Sequence, residues 1–162
     1  MISVLSFALT LVLGVNTQKS NAPRPCVGLK ATLQAEESNV RVGAEPNFVL
    51  SLRNGTKKPI QILDIRKGRR PDLETTYFDV VIERQGSPVS VPRPICDPGP
   101  ISAADIFQLA PGITEGIHMS HQCLDLTGLQ PGRYEAHVSV WLDPYDQKTR
   151  CDSSEAWFVV FK

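Results

Sequence analysis

The sequence predicts an all-β domain built as two antiparallel sheets packed face to face, and three observations carry that prediction. Between Cys26 and Lys162 apolar residues alternate with period two in segment after segment, the pattern of strands with one buried face. Turn chemistry separates the segments, with 13 Pro and 11 Gly distributed along the chain. The total of 162 residues is right for one core plus a short appendage, and no long charge run or heptad argues for disorder or a coiled coil.

The chain opens on "MISVLSFALTLVLGV", an apolar run of about 14 residues, short for a membrane span and suited to the h-region of a signal peptide. Residues 1–22 are therefore read as an export signal, with cleavage after Ser20-Asn21-Ala22 or earlier, near Gly14 or Thr17. No Lys or Arg precedes the run and Pro23 follows the small-residue triplet, so an uncleaved anchor or a strand of the domain stays open as a reading. Once the signal is removed no membrane insertion is expected.

Residues 26–162 form the predicted domain. Val27, Leu29, Ala31, Leu33 and Ala35 give a first strand, and Phe48, Leu50 and Leu52 a second. Ile60 and Ile62 begin a third, and Phe78, Val80 and Ile82 a fourth. "EESNVRVGAEP" reads as an irregular crossover, while "RNGTKKP" and "RQGSP" carry hairpin turns. Val89 and Val91 suggest a short fifth strand paired with the fourth. "SAADIFQL" is the one helical signal, a single turn with Ser102 as N-cap. Ile117 and Met119 mark another strand, Tyr134 to Leu142 a long one, and Ala156 to Phe161 a terminal strand apolar on both faces. Tyr134, Val138, Val140, Leu50, Leu52, Ile62, Phe78 and Val80 are expected to share one core.

"DLTGLQPGRYEAHVSVWL" resembles the corner between strands E and F of immunoglobulin-like sandwiches, where a Leu-x-Pro-Gly-x-Tyr run enters strand F. Together with "VGAEPNFVLSLRNGTKKPIQIL" and "LAPGITEGIHMSHQCLDL", it is similar to secreted bacterial immunoglobulin-like modules, including those in propeptides of deuterolysin-type proteases and in small proteinase inhibitors. The resemblance covers roughly residues 29 to 161. It implies a structural role for Tyr134, sealing the corner, and a sandwich of about seven to nine strands. Four cysteines in an exported chain imply two disulfides. Strand directions in an immunoglobulin-like arrangement place Cys26 and Cys151 at one end and Cys96 and Cys123 at the other, so these are the expected pairs.

Composition restricts function. Seventeen basic and 17 acidic residues leave no global field for nucleic acid or an anionic surface. Catalytic and cofactor signals are weak: there is no Gly-x-Ser-x-Gly elbow, no glycine-rich phosphate loop and no Cys-x-x-Cys pair. "HMSHQC" offers His118, His121 and Cys123, but His118 and His121 point to opposite faces of a strand, so no metal site is expected. No cofactor is expected either. His137 should face outward, and paired carboxylates such as Asp143 with Asp146 fall in turns. Asn54-Gly55-Thr56 matches a glycosylation sequon and equally the turn a hairpin wants; the turn is favoured.

Two loops are the candidate binding surfaces. "DIRKGRRPD" gathers Arg66, Lys67, Arg69 and Arg70, and the long connection from Trp141 to Trp157 offers Asp143, Tyr145, Lys148 and Arg150. The expected function is a non-enzymatic, secreted or periplasmic module that recognises a protein or cell-envelope partner through these loops. An inhibitor of a secreted protease, acting through the proline-rich 92–100 segment, is the competing expectation, and a metal-dependent enzyme a distant third.

Overall fold

The alternation in the sequence becomes twelve strands in a computed structural model that describes residues 24–64, 78–93, 100–119, 124–142 and 149–162. They are β1 (Arg24–Pro25), β2 (Leu29–Ala35), β3 (Asn39–Arg41), β4 (Phe48–Asn54), β5 (Ile60–Leu63), β6 (Phe78–Arg84), β7 (Ser87–Pro88), β8 (Ile106–Leu109), β9 (Thr114–His118), β10 (Gly132–Trp141), β11 (Thr149–Asp152) and β12 (Ala156–Phe161). Among the described residues there is no α-helix. The described residues form a nearly all-β structure with predominantly antiparallel sheets.

The largest sheet has β10 at its centre: β12 and then β3 lie on one side, β6 and β7 on the other, while β11 and β1 extend the ladder near Val140. A second sheet has the order β2-β4-β9. The β5–β8 pair prolongs its β4–β9 ladder, because Arg53 opposes Thr114 and, after a turn, Ile60 opposes Leu109. The sheets face one another across a single cluster of buried apolar side chains, with the Phe48 ring from β4 edge-on to Phe158 from β12 at 5.5 Å. All eight residues expected in the core are buried in it.

β1 and β2 belong to different sheets, and the link between them is stapled. β1 runs parallel to β11, and the Cys26 N–H donates to the Arg150 carbonyl at 3.1 Å. Cys26 is disulfide-bonded to Cys151 of β11, Cα atoms 5.0 Å apart, as the strand directions required. Cys96 and Cys123 lie outside the described residues, as does the apolar segment 1–22.

Several local expectations are corrected. β2 begins at Leu29, and Val27, 88% exposed, precedes it: Gly28 with φ near +85° turns the chain there, and a Cβ at that position would collide with the Thr56 methyl. The crossover "EESNVRVGAEP" contains β3, which pairs parallel to β12 through Val40 beside Val160. The helical turn after Ser102 is a three-residue 3-10 turn, Ala103–Asp105, in which the Asp105 carboxylate accepts from the Ser102 N–H and hydroxyl at 2.8 and 2.7 Å. "IFQL" beyond it is β8, not helix. Four residues are too few for periodicity to separate the two states, and β5 supplies the hydrogen-bonding edge. The short partner of β6 sits at Ser87–Pro88 rather than Val89–Val91, set by the tight Gln85-Gly86 turn with both φ values positive. The terminal strand β12 is apolar on both sides, but only one side is buried.

Candidate functional site

The corner that leads into β10 is held by its own backbone. The Leu129 N–H donates to the Leu126 carbonyl at 3.3 Å, and the buried Tyr134 hydroxyl reaches back to the Gln130 carbonyl at 2.7 Å. Arg84, at the end of β6, donates to the Pro131 carbonyl at 3.0 Å and lies 5.7 Å over the Tyr134 ring. Gly132 allows that approach, since a Cβ there would stand 2.9 Å from the guanidinium.

Beside the corner runs the segment that leaves β7. The Asp125 N–H donates to the Pro92 carbonyl at 3.0 Å, joining the two segments. Between them opens a cleft of about 430 Å³, with Val89, Val91, Pro92, Leu129 and Tyr134 as its apolar lining. Arg84 and Asp125 bring one charge of each sign to the same cleft. The Asp125 carboxyl is held below the usual carboxylate range by hydrogen bonds from the Thr127 hydroxyl, 2.5 Å, and the Thr127 N–H, 3.0 Å. The chemistry is that of a receptor for an apolar group flanked by polar anchors. Sequence reasoning singled out both walls, Val89–Pro92 and the Leu-x-Pro-Gly-x-Tyr run, but missed the cleft because the two segments are more than 30 residues apart.

A second assembly lies on the outer face of the large sheet. Ser139 and His137 of β10 alternate with the core-facing Val138 and Val140, and Ser139, itself buried, opposes Asp152 of β11. The Ser139 hydroxyl donates to the Asp152 carboxylate at 2.6 Å, and the Arg150 Nε donates to the same oxygen at 2.7 Å. Burial pushes the Asp152 carboxyl up, but the Ser139 and Arg150 hydrogen bonds, the Arg150 charge and the His137 charge outweigh it and hold it low. A nucleophilic serine would hand its proton to an imidazole. Here the serine bonds the carboxylate instead, and among the described residues none hydrogen-bonds serine to histidine. Of the residues proposed for the Trp141–Trp157 connection, Arg150 lies in β11 rather than in a loop, and Asp143, Tyr145 and Lys148 lie outside the described residues. Arg66, Lys67, Arg69 and Arg70 also lie outside them.

His118 is exposed and pairs through Nδ1 with Glu36 at 2.8 Å, while His121 and Cys123 fall outside the description. Among the described residues no group of three His, Cys, Asp or Glu side chains is placed to hold a metal ion. Asn54 of the sequon is buried, and its amide nitrogen donates to the Lys58 and Leu109 carbonyls, each at 2.8 Å. Its oxygen accepts from the Thr56 N–H and hydroxyl at 2.8 and 2.7 Å. Asn54 thus closes the turn between β4 and β5 and ties it to β8.

No family model matches the chain, and no curated protein matches it. Among solved structures it is similar to the Pseudomonas fluorescens alkylpurine DNA glycosylase bound to DNA containing an abasic site analog, at 16% identity and a TM-score of 0.46, over 85% of this chain and 31% of that one. It is also similar to the CARDB domain of a Pyrococcus furiosus protein in complex with di-metal ions, at 9% identity and a TM-score of 0.37, over 88% of this chain and 97% of that one. Both likenesses are loose, and neither bears on activity.

Proposed function

We propose that the chain is a non-enzymatic, extracytoplasmic immunoglobulin-like module that binds a protein or cell-envelope component. The cleft between Val89–Pro92 and the Asp125–Tyr134 corner carries this reading: an apolar recess with a guanidinium and a carboxylate suits a side chain presented by a larger partner. Several features support the immunoglobulin-like part. β2-β4-β9 and β3-β12-β10-β6-β7 have the neighbour relations of an A-B-E sheet facing an A′-G-F-C-C′ sheet, and Tyr134 makes the hydrogen bond of a tyrosine corner. The Cys26–Cys151 disulfide suits an oxidising compartment. Among the described residues no helix is long and apolar enough to cross a membrane.

The test is to fill the cleft. A Ser90→Trp variant that melts like the parent should lose the envelope or secreted partner that the parent retains under crosslinking. Equal retention of that partner by both would sink the assignment of the cleft. Changing Arg66, Lys67, Arg69 and Arg70 together to Gln should leave the fold intact and weaken retention in a salt-dependent way if the basic segment contributes.

A second reading, an inhibitor of a secreted protease, has one observation in its favour. Arg93 donates to the Val80 carbonyl at 2.9 Å and to the Asp79 carboxylate at 3.2 Å, anchoring the first residues of the 92–100 segment as an inhibitory loop would need. Residual activity of a co-secreted protease titrated with the protein separates the two readings: stoichiometric loss favours inhibition.

A further inference from the structure

Of the six large apolar side chains exposed among the described residues, three lie on one face of β12: Trp157 at 44%, Val159 at 37% and Phe161 at 39% exposure. A sheet face that only met solvent would carry polar residues at its outward positions, yet here the outward positions of β12 are apolar. The neighbours on the same face are charged, with Arg41 and the Cα of Arg133 toward the Phe161 end, glutamates toward the Glu155 end, and the Arg133 guanidinium reaching between them. Arg133 of β10 opposes Val159 and stacks over the Trp157 ring at 4.1 Å, and Arg41 of β3 lies beside Phe161. At the other end of the stripe, Glu135 opposes both Trp157 and Glu83, and Glu155 stands just before the strand.

Opposed carboxylates on adjacent strands cost stability. Lost hydration, then the Glu155 and Glu83 charges, push the Glu135 carboxyl above its usual range against the opposing pull of Arg133 and His137. A stripe with an apolar centre, a positive end and a negative end is complementary to itself when reversed. We propose that the outer face of β12 and β10 is the interface of a symmetric dimer, two copies packing face to face with their strands antiparallel across it. A two-fold axis between the sheets, perpendicular to the strands at the level of Phe158, sets Trp157 of one copy against Val159 of the other. The same rotation sets Arg133 against the second copy's Glu135, and carries Arg41 toward the second copy's Glu155. Each contact occurs twice, as an isologous interface requires. The arrangement brings a second arginine to the carboxylate cluster, beside the Arg133 that already acts on Glu135 within its own chain.

Light scattering on a sizing column and sedimentation equilibrium on the purified protein test this over a concentration series. The expected result is a species of twice the chain mass that Val159→Glu converts to monomer while the melting curve stays cooperative. Arg133→Glu alone should raise the dissociation constant at least about tenfold. Adding Glu135→Arg to Arg133→Glu should recover most of that loss, because the reversed charges meet again across the axis. A wild-type monomer at every concentration, a dimer indifferent to Val159→Glu, or a double reversal no tighter than the single one would each overturn the proposal.

Discussion

Asn54 shows how much of this fold one side chain can hold. Both amide protons and the carbonyl oxygen are engaged with groups of the β4–β5 turn and of β8, so replacement by Ala strands several partners in a buried site. Asn54→Ala should cost at least about 2 kcal/mol in a denaturant titration. The same engagement decides the sequon: glycan attachment needs the amide nitrogen that Lys58 and Leu109 occupy. Expression through a glycosylating secretory pathway should yield folded protein with no added mass at Asn54 by intact mass spectrometry. Asp152 couples stability to pH. Its folded pKa is depressed, so the folded state gains stability from the ionised carboxylate above the ordinary aspartate range, and loses it as pH falls through the lower folded value, below about pH 4. Asp152→Asn should flatten the acid limb of a melting-temperature profile below about pH 4 relative to the parent. Identical acid limbs would show that the Ser139 and Arg150 bonds contribute nothing.

Elements tell where the sequence is informative. In β4, Phe48, Leu50 and Leu52 face the core as their alternation requires, and in β10 Tyr134, Ala136, Val138 and Val140 do the same. Leu50→Ala or Val140→Ala should therefore cost about 2 to 4 kcal/mol by opening a cavity between the sheets, measurable as a lowered urea midpoint with an unchanged slope. Long strands with one buried face declare themselves, because seven or more alternating positions overdetermine the period. Short ones do not: β3 has one inward residue, Val40, and β8 has four residues that fit helix and strand alike. β11 was hidden for a different reason, since "TRCD" reads as part of a polar connection until the disulfide and Ser139 fix its place against β10. The corner was legible through Tyr134, but the cleft beside it was not, because a recess belongs to the distance between two segments and no residue pattern records that distance. Trp157, Val159 and Phe161 were legible as the second apolar face of the terminal strand, and that face is the exposed one. Periodicity counts apolar residues on each face but cannot say whether protein or a second copy covers the outer one.

At the scale of the whole molecule, the decisive feature is where the chain changes sheets. β1 belongs to the large sheet and β2 to the smaller one, and Cys26 lies between them, bonded to Cys151 from a strand 125 residues away in sequence. The bridge therefore closes nearly the whole domain into one loop and pins both sheets at the same end. A loop of that length restricts the unfolded chain strongly, and the chain-entropy estimate for it is about 4 to 5 kcal/mol. Cys26→Ser with Cys151→Ser should remove most of that without moving the strands, since β2 keeps its full ladder with β4 and its bond between Leu33 and Ser154. The second pair should be separable from the first. Pro92 and Asp125 are joined through their backbones at 3.0 Å, four residues before Cys96 and two after Cys123, which brings the flanking chain together as a bridge would require. Mapping of non-reduced peptides should recover Cys26 with Cys151, and Cys96 with Cys123. Chemical unfolding of the Cys26→Ser, Cys151→Ser variant should still be a single transition, because the core between the sheets is one cluster. A peptide joining Cys96 to Cys26 or Cys151 would overturn the second pairing, and a variant that unfolds in two steps would mean that the two sheets do not share one cooperative core.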